Sequence, residues 1–389
     1  MNFDDLKDRR GTHTSKFDGM QAFSGVSPDD GIAMFVADMD FDAADCIRDA
    51  IRTEAENGYF GYIGNIAPVS QAVCDWLRTR HGWAAEPDWI SYSHGVVAGF
   101  AQTLLAFSEP GEAVILFTPV YHAFFRKARA LGREVVQSEL VLRDGQYHMD
   151  LDALAARLTG RERIVTLCSP HNPGGRLWTP AEIAELAAFC ADHDLILLSD
   201  EVHMDLVFPG ATFVPTALAA PDALDRLVVI TAASKGFNTA GGETGLIIVR
   251  DPTLRERMTA VNMAYGGTPN RFGLMMIKAA FTGGADWSAA VRAYLARNFA
   301  LWRDRIGALP GVRVMDMQAT YLSWVDFTDT GMTPEETDRR IRQDARIAQS
   351  PGAQFGKGGE NFHRFNLAMP RARLIEAIER LETAFGDLQ

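Results

Sequence analysis

The sequence predicts an α/β protein with a doubly wound, mostly parallel β-sheet in a large domain and a smaller α+β domain beside it. The first observation is a series of short, almost uninterrupted apolar segments in the middle of the chain. Such segments are typical of strands that are buried on both faces of a parallel sheet. The second observation is that segments with helical periodicity alternate with them, as in βαβ units. The third is a change near residue 286, where longer periodic segments replace this alternation.

The predicted strands of the large domain are five apolar segments, at residues 113–117, 163–168, 195–199, 227–231 and 245–249. Between the second and the third, Thr179 can cap a helix and Pro180 suits its first turn. Apolar residues then repeat at helical spacing as far as Cys190. We therefore place the large domain at residues 45–285. One antiparallel strand is expected within the sheet, at a position that the pattern does not give.

The predicted small domain combines residues 1–44 with residues 286–389. It contains a long helix, a segment that alternates like a half-exposed strand, a polar helix and a terminal helix, at about residues 288–306, 311–327, 333–347 and 370–386. The first 45 residues have too little periodicity to form a unit alone, so we expect them to pack against this domain.

The composition is that of an ordinary globular enzyme, with 47% hydrophobic and 23% charged residues. A net charge of −12 argues against a nucleic acid or an anionic membrane as partner, because an acidic surface repels both. The charged first residues contain no apolar segment, and we expect no secretory signal and no membrane span. The four cysteines are scattered without CxxC spacing, which favours free buried thiols and a cytoplasmic location.

Polar residues follow three consecutive predicted strands. Asn172 lies in the turn "SPHNPGG" after the strand that ends at Cys168, and Asp200 follows the next strand. Ser234 and Lys235 follow the third. Each has an ordinary explanation alone, since Asn and Gly favour tight turns and an acidic residue can cap a helix. Together they indicate a ligand site, because open α/β sheets bind ligands at the carboxyl ends of their strands.

Lys235 is unusual because only six of the 38 basic residues in this chain are lysines. An arginine at the end of a buried strand stays protonated, whereas a lysine can lose its proton and attack a carbonyl carbon. The use of lysine at this position therefore indicates a chemical role.

A second candidate binding element begins at Gly95. The segment "SYSHGVVAGFAQTLLAF" has this glycine directly before an apolar helical run. A helix that begins here offers free backbone N–H groups, with those of Val96 and Val97 nearest to an anion. Glycine before a helix is common, so the motif alone is weak evidence.

In this order and spacing, the motifs "NPGG" (172–175), "SDEVH" (199–203) and "SKGFN" (234–238) resemble those of the fold-type I pyridoxal-phosphate (PLP) enzymes. This is the aminotransferase class I/II superfamily, and the resemblance covers nearly the whole chain. Further motifs are most similar to its cystathionine β-lyase, or C–S lyase, branch: "VADMDF" (36–41), "FGYIG" (60–64), "TPVYHAFF" (118–125), "CSPHNP" (168–173) and "DEVHMDLVF" (200–208). The resemblance implies a PLP-dependent transferase fold of type I with PLP as cofactor.

The resemblance assigns roles around the cofactor ring. It implies that Lys235 bonds covalently to PLP and then acts as the proton-transfer base. Asp200 is expected against the pyridine nitrogen, where a carboxylate favours the protonated ring and stabilises negative charge at Cα. Asn172 is expected to donate a hydrogen bond to the phenolic oxygen of the ring.

Two aromatic side chains complete the expected ring contacts. Tyr121 is expected to stack on the cofactor, with simple core burial as the alternative. His203 stands where many relatives have tyrosine, and we expect it near the phenolic oxygen. An ordinary histidine with a protein partner is the alternative. A metal pair of Asp200 and His203 is less favoured, because no other histidine adds ligand spacing.

The resemblance places the cofactor phosphate at the helix after Gly95, with the Ser234 hydroxyl as a further donor. Two positions depart from the family pattern. Ala232 stands where many relatives have a second serine, and Glu243 stands where many have a phosphate-binding arginine. The C–S lyase branch commonly lacks that arginine, but an acidic residue is unexpected. Glu243 either turns outward or meets a cation.

The segment "FHRFNLAMPR" resembles the part of the superfamily that grips the α-carboxylate of the substrate, which makes Arg364 the candidate anchor. The planar guanidinium suits a bidentate carboxylate contact. A structural ion pair is the alternative. By the same resemblance, Tyr62 crosses into the active site of a neighbouring subunit, which implies a homodimer with shared sites.

The implied activity is β-elimination from an S-substituted L-cysteine such as cystathionine, which gives a thiol, pyruvate and ammonia. An aminotransferase that uses the same residues is the alternative, since no single residue separates the two activities. A regulatory protein that keeps PLP or its pocket is a third possibility, and the Ala232 and Glu243 changes fit it best. The intact set of Lys235, Asp200 and Arg364 opposes a loss of catalysis.

Overall fold

The computed structural model describes residues 1–265 and 269–388 of the 389-residue chain. The described residues form these β-strands: β1 (Ile32–Ala33), β2 (Ile90–Ser93), β3 (Ala113–Thr118), β4 (Glu134–Glu139), β5 (Val141–Arg143), β6 (Gln146–His148), β7 (Glu162–Cys168), β8 (Ile196–Asp200), β9 (Leu227–Thr231), β10 (Gly245–Ile248), β11 (Arg313–Val314), β12 (Leu322–Asp326), β13 (Ile347–Ala348), β14 (Ser350–Pro351) and β15 (Phe362–Asn366).

The same residues form these α-helices: α1 (Met20–Ser24), α2 (Asp45–Asn57), α3 (Ala67–His81), α4 (Val96–Phe107), α5 (Ala123–Ala130), α6 (Leu151–Ala155), α7 (Pro180–Asp192), α8 (Thr216–Ala219), α9 (Ala233–Gly236), α10 (Pro252–Ala264), α11 (Arg271–Gly283), α12 (Ala285–Ile306), α13 (Pro334–Arg339) and α14 (Arg371–Ala384). Within this part of the chain, no helix combines the length and the apolar character that a membrane crossing requires.

A seven-stranded sheet with the order β2-β10-β9-β8-β7-β3-β4 forms the centre of the larger part of the molecule. All five predicted strands are in it, which confirms the predicted α/β class. The expected antiparallel strand is β10, which runs antiparallel to both β2 and β9. The other neighbouring strands are parallel.

The alternation of side chains along the buried strands explains why helices cover both faces of this sheet. In β3, Val114 and Leu116 point to one apolar cluster, and Ile115 and Phe117 point to another. Helices α4, α5 and α10 contribute to the first cluster, and α3, α7 and α11 contribute to the second. A strand that is apolar on both faces is buried in this way only in a three-layer arrangement.

Two predicted helix starts that position loops near the sheet edge are present. At α7 the Thr179 side chain accepts a hydrogen bond from the Glu182 N–H, and the Glu182 side chain bonds back to the Thr179 N–H. This reciprocal capping stabilises the first turn. At α4 the N-cap is Gly95, with φ +80° and no side-chain cap.

A four-stranded antiparallel sheet, β11-β12-β15-β14, lies later in the chain. The prediction of one half-exposed strand over residues 311–327 is wrong, because the segment divides into β11 and β12 and every residue of β12 is buried. Trp324 explains the burial, since it stacks on Phe362 and its indole N–H donates to the Tyr147 hydroxyl at 3.0 Å. Residues from distant parts of the chain pack on the face of β12 that the sequence pattern predicted to be exposed.

The predicted polar helix over 333–347 is shorter than expected. Helix α13 ends at Arg339 and continues as a π-helical turn over Arg340–Asp344. The chain then forms β13, whose Ile347 pairs in parallel with Ile32 of β1. Ile347, the last residue of the predicted helix, is therefore in a strand. The pairing with β1 also connects the N-terminal segment to the C-terminal part of the chain.

Candidate active site

A pocket of about 410 Å³ opens at the carboxyl ends of the central strands. Nine residues predicted from the sequence line it: Gly95, Val96, Val97, Tyr121, Asn172, Asp200, His203, Ser234 and Lys235. Parallel strands end at one edge of a sheet, so residues that follow β7, β8 and β9 meet there although the chain separates them widely. Tyr62 and Arg364 do not line this pocket.

Lys235 lies in the short helix α9 directly after β9, and its Nζ donates a hydrogen bond to the Ala37 carbonyl at 2.7 Å. No carboxylate forms an ion pair with it among the described residues. Burial and the Arg364 charge lower the pKa of this amine, Asp38 and Asp200 raise it, and the net result is a pKa of about 8. At pH 7 about one tenth of the amine is therefore neutral, far more than for a lysine with the ordinary pKa, and a nucleophile or a base must be neutral.

Asp200 ends β8 and is 4% exposed. The hydrogen bond that its Oδ1 accepts from the Val202 N–H, at 3.1 Å, is its one bond within the described part of the chain. Burial raises the pKa of this carboxyl to about 7, and the neighbouring Glu201 adds to the effect. A buried carboxylate with unused acceptor capacity favours a cationic group in the pocket beside it.

Two other acidic residues of the same loop face away from the pocket. Glu201 accepts hydrogen bonds from the Ser199 hydroxyl at 3.1 Å and from the Thr216 N–H at 2.8 Å. Asp205 accepts from Trp76 Nε1 at 2.9 Å and lies 2.8 Å from His81 Nε2. These contacts are structural.

Arg364 lies on β15 and is 2% exposed. Its guanidinium donates to Asn172 Oδ1 at 3.1 Å, to the Phe35 carbonyl at 2.8 Å and to the Ser350 hydroxyl at 3.3 Å. No carboxylate pairs with it in the described ranges, which opposes the structural ion pair weighed above. Burial lowers its pKa to about 10. An unpaired buried cation is costly, so this position favours an anionic ligand.

His203 is 2% exposed, and its imidazole makes no hydrogen bond within residues 1–265 and 269–388. The alternative of a histidine with a protein partner is therefore not what the structure has. Burial and the nearby charges of Lys235 and Arg364 lower its pKa to about 3, so the ring is neutral. Tyr121 is half-buried, with its ring centroid 5.6 Å from that of Phe124.

The first turn of α4 supplies the free N–H groups of Val96 and Val97 to the pocket. Its start is packed against β10, because a Cβ on Gly245 would lie 2.7 Å from the carbonyl carbon of Gly95. Glu243 also lines the pocket, in the left-handed region with φ +42°. Its side chain is exposed and has no cationic partner in the described part of the chain, so the alternative in which Glu243 meets a cation is not observed.

Tyr62 lies on the surface, where it belongs to what we call the aromatic patch: Tyr59, Phe60 and Tyr62, which are near one another in the chain and highly exposed. Phe60 packs against Phe272 at 5.7 Å between ring centroids, which connects the patch to α11. Within one copy of the chain, the patch does not reach the pocket.

Several residues that line the pocket were not singled out from the sequence, among them Ala37, His94 and Thr244. Ala37 supplies the carbonyl that holds Lys235, and His94 and Thr244 line the pocket wall. The motif "VADMDF" was the available signal for Ala37. His94 directly precedes Gly95, but nothing in the local pattern distinguishes it from an ordinary loop histidine.

The chain matches the family Aminotransferase class I and II over residues 30–381. The chain belongs to this family. It is 34% identical to the cystathionine β-lyase PatB of Bacillus subtilis, an alignment that covers 99% of this chain and 100% of PatB. This confirms the predicted resemblance.

Solved structures agree with the alignment. Cystalysin from Treponema denticola, which contains a pyridoxal 5′-phosphate cofactor, superposes with a TM-score of 0.95 at 30% identity. That match covers 100% of this chain and 99% of cystalysin. The PLP-bound C–S lyase from Staphylococcus hominis has a TM-score of 0.90 at 28% identity, with 99% of this chain and 98% of the lyase covered. The predicted type I fold of this family is confirmed.

Proposed function

We propose that this chain is a PLP-dependent C–S lyase that cleaves S-substituted L-cysteines to a thiol, pyruvate and ammonia. The single observation that carries the proposal is the pocket in which Lys235, Asp200, Asn172 and the α4 N-terminus converge, next to an unpaired Arg364. The relatives named as cystathionine β-lyase and C–S lyase support the choice of reaction.

The described residues fit PLP group by group. The aldehyde carbon needs an amine, which Lys235 supplies in partly neutral form. The protonated pyridine nitrogen needs a hydrogen-bond acceptor, and the Asp200 carboxylate can accept further hydrogen bonds beside the one from Val202. The phosphate fits the N–H groups of the first turn of α4 and the Ser234 hydroxyl. The phenolic oxygen fits the neighbourhood of Asn172 and of the unpartnered His203 imidazole.

We assign Arg364 and Asn172 to the α-carboxylate of the substrate. The hydrogen bond between them leaves guanidinium N–H groups for a ligand and fixes the direction in which they point. Holding the carboxylate there orients the Cα–H bond toward Lys235, and such positioning supplies much of a rate enhancement.

When bound, PLP withdraws electrons from the Cα atom of the attached amino acid. The neutral Lys235 amine takes the proton from Cα, and the electron pair of that C–H bond forms a Cα–Cβ double bond. The Cβ–S bond breaks, and sulfur leaves with its electron pair as a thiolate, which water protonates. The released 2-aminoacrylate takes up water and yields pyruvate and ammonia.

The proposal includes a homodimer in the cytoplasm. The aromatic patch supports the dimer, because neighbouring exposed aromatic side chains favour an interaction surface. Tyr62 is then the residue that enters the active site of the second copy and contacts its cofactor. Four free cysteines support the reducing compartment.

The test is a product assay with an S-substituted L-cysteine, comparing the wild type with Lys235→Ala. We expect thiol and pyruvate in equal amounts, without any added keto acid and only from the wild type. Keto-acid-dependent amino transfer without thiol release would make the chain an aminotransferase. No turnover in either protein, with PLP bound, would favour the regulatory alternative.

A further inference from the structure

The segment 36–41 lies between two lysines, the half-buried Lys235 and the fully buried Lys16. On one side, Lys235 Nζ donates to the Ala37 carbonyl at 2.7 Å. On the other side, Lys16 Nζ lies 2.8 Å from Asp40 Oδ1 and 3.4 Å from Asp38 Oδ1. Lys16 is 0% exposed, which is rare for lysine and requires charge partners.

Side-chain amides fix the backbone of this segment from two directions. Asn366 Nδ2 donates to the carbonyls of Val36 and Asp38, both at 2.6 Å. Asn238, three residues after Lys235, donates from Nδ2 to the Met39 carbonyl at 3.0 Å and accepts from the Met39 N–H at 2.9 Å. The Ala37 carbonyl that receives the lysine therefore has a fixed position.

The charged and titratable groups that face Lys235 are few. They are Asp38 from this segment, Asp200 from β8 and Arg364 from β15, with the neutral His203 nearby. Among these charges Asp38 has the largest effect on the pKa of Lys235, and it raises that pKa. The Tyr321 hydroxyl donates to the same Ala37 carbonyl at 2.9 Å.

The groups that face Asp38 and Asp40 complete the set. Lys16 faces both carboxylates, and Arg9 lies 3.6 Å from Asp40 Oδ1. Asp38 Oδ1 is buried and accepts no hydrogen bond. The ion pair with Lys16 therefore opposes the negative charge of Asp38 without a hydrogen bond to this oxygen.

We propose that Asp38 and Lys16 are a positioning pair for Lys235, which rests on the proposed role of Lys235 as cofactor lysine and base. The Ala37 carbonyl holds the amine at the pocket wall when it is free of the cofactor. Asp38 favours the protonated nitrogen, and Lys16 limits this effect by opposing the Asp38 charge. The pair thereby sets the pH range in which Lys235 accepts a proton.

The two members of the pair must then act in opposite directions. Asp38→Asn removes the negative charge, so the Lys235 nitrogen should lose its proton at lower pH, by about one pH unit. Lys16→Met leaves Asp38 unopposed, so the same event should move to higher pH. Lys16→Arg keeps the positive charge and should stay near the wild type.

The test measures the visible absorbance of the PLP-loaded protein as a function of pH, because this absorbance reports the protonation of the nitrogen that links Lys235 to the cofactor. Asp42→Asn is the matched control. It removes the same charge from the residue that directly follows the segment, but Asp42 is exposed and pairs with Lys7 on the surface. The control should leave the midpoint unchanged.

A lower midpoint in Asp38→Asn together with a higher one in Lys16→Met supports the pair. An unchanged or higher midpoint in Asp38→Asn, or a lower one in Lys16→Met, overturns it. If Lys16→Met does not fold, as judged by circular dichroism, Asp38→Asn decides alone. If the wild type has no visible absorbance that depends on Lys235, the proposed function fails instead, so the two failures are distinguishable.

Discussion

The pocket at the strand ends and the aromatic patch around Tyr62 differ in what each lacks. Asp200 and His203 in the pocket, and Arg364 beside it, are buried polar groups with fewer partners than they can use. In the patch, the aromatic rings of Tyr59 and Tyr62 are largely exposed to water. Both conditions cost free energy, the first through desolvation and the second through contact with water.

The difference indicates what completes each region. Missing hydrogen bonds and charges are supplied by a small polar ligand that enters the pocket, such as a cofactor and an amino acid. For the aromatic patch, the proposed dimer would supply apolar contacts from the surface of the second copy. Variants of pocket residues should therefore change cofactor or substrate binding, whereas a variant of the patch should act through the second subunit.

Lys235→Ala tests the pocket most severely. We expect turnover to fall by about 10³-fold or more, because the variant loses both the amine that bonds to the cofactor and the base. PLP should bind only noncovalently, so borohydride should no longer fix it to the protein. Lys127→Ala, which removes an exposed lysine on α5, is the control and should behave like the wild type. Borohydride fixation that persists in Lys235→Ala would place the covalent link elsewhere.

Asp200→Asn is expected to keep part of the cofactor and to lose turnover by about 10²- to 10³-fold. The neutral side chain no longer favours a protonated pyridine nitrogen, and the loss is of the size seen when one electrostatic contact to a developing charge is removed. Steady-state rates measured at saturating PLP separate this effect from weaker cofactor binding. Rates within a few fold of the wild type would contradict the assignment.

The raised pKa of Asp200 also predicts a pH dependence of stability in the cofactor-free protein. The folded state keeps this proton up to about pH 7, whereas the unfolded state releases it near the ordinary aspartate pKa of 3.8. The stabilising contribution is therefore present below about pH 4 and is lost as the pH rises toward 7, by roughly 4 kcal/mol in total. Asp200→Asn cannot ionise, so its free energy of unfolding relative to the wild type should rise between pH 5 and 8 in urea titrations. If the difference in the free energy of unfolding between Asp200→Asn and the wild type is the same at pH 5 and pH 8, the raised pKa of Asp200 is contradicted.

Arg364→Lys should change substrate binding more than cofactor binding. Lysine keeps the charge but loses the two-pronged geometry, so we expect KM to rise by about ten- to a hundredfold. The visible absorbance of bound PLP should stay nearly unchanged, because Arg364 is assigned to the substrate. A spectrum that changes while KM does not would reverse that assignment.

The sequence predicted the pocket better than its surroundings. The five central strands are apolar on both faces, so their positions and the polar residues at their ends could be predicted from local pattern alone. The edge strands β2 and β4 were not predicted, because "ISYS" and "EVVQSE" are polar and only partly buried.

Contacts between distant parts of the chain account for what local pattern missed. The burial of Lys16 depends on Asp38 and Asp40, and nothing in the polar segment "THTSKFDGM" indicates it. The bond between Arg364 and Asn172 joins residues 192 positions apart. The role of Tyr62 and the division into residues 45–285 and the remainder stay predictions.

The central claim is that each active site combines the pocket of one copy with Tyr62 of the other copy. Mixing two impaired variants tests this claim. Lys235→Ala lacks the amine, and Tyr62→Phe lacks the hydroxyl that is expected to reach the cofactor of the other subunit. In a mixed dimer, one site carries both lesions and the other carries neither. After subunit exchange in equal amounts, about one quarter of all sites should be intact, and activity should exceed that of either parent. No recovery, with mixed dimers demonstrated by mass spectrometry, would contradict a shared site and would leave the aromatic patch without a part in catalysis.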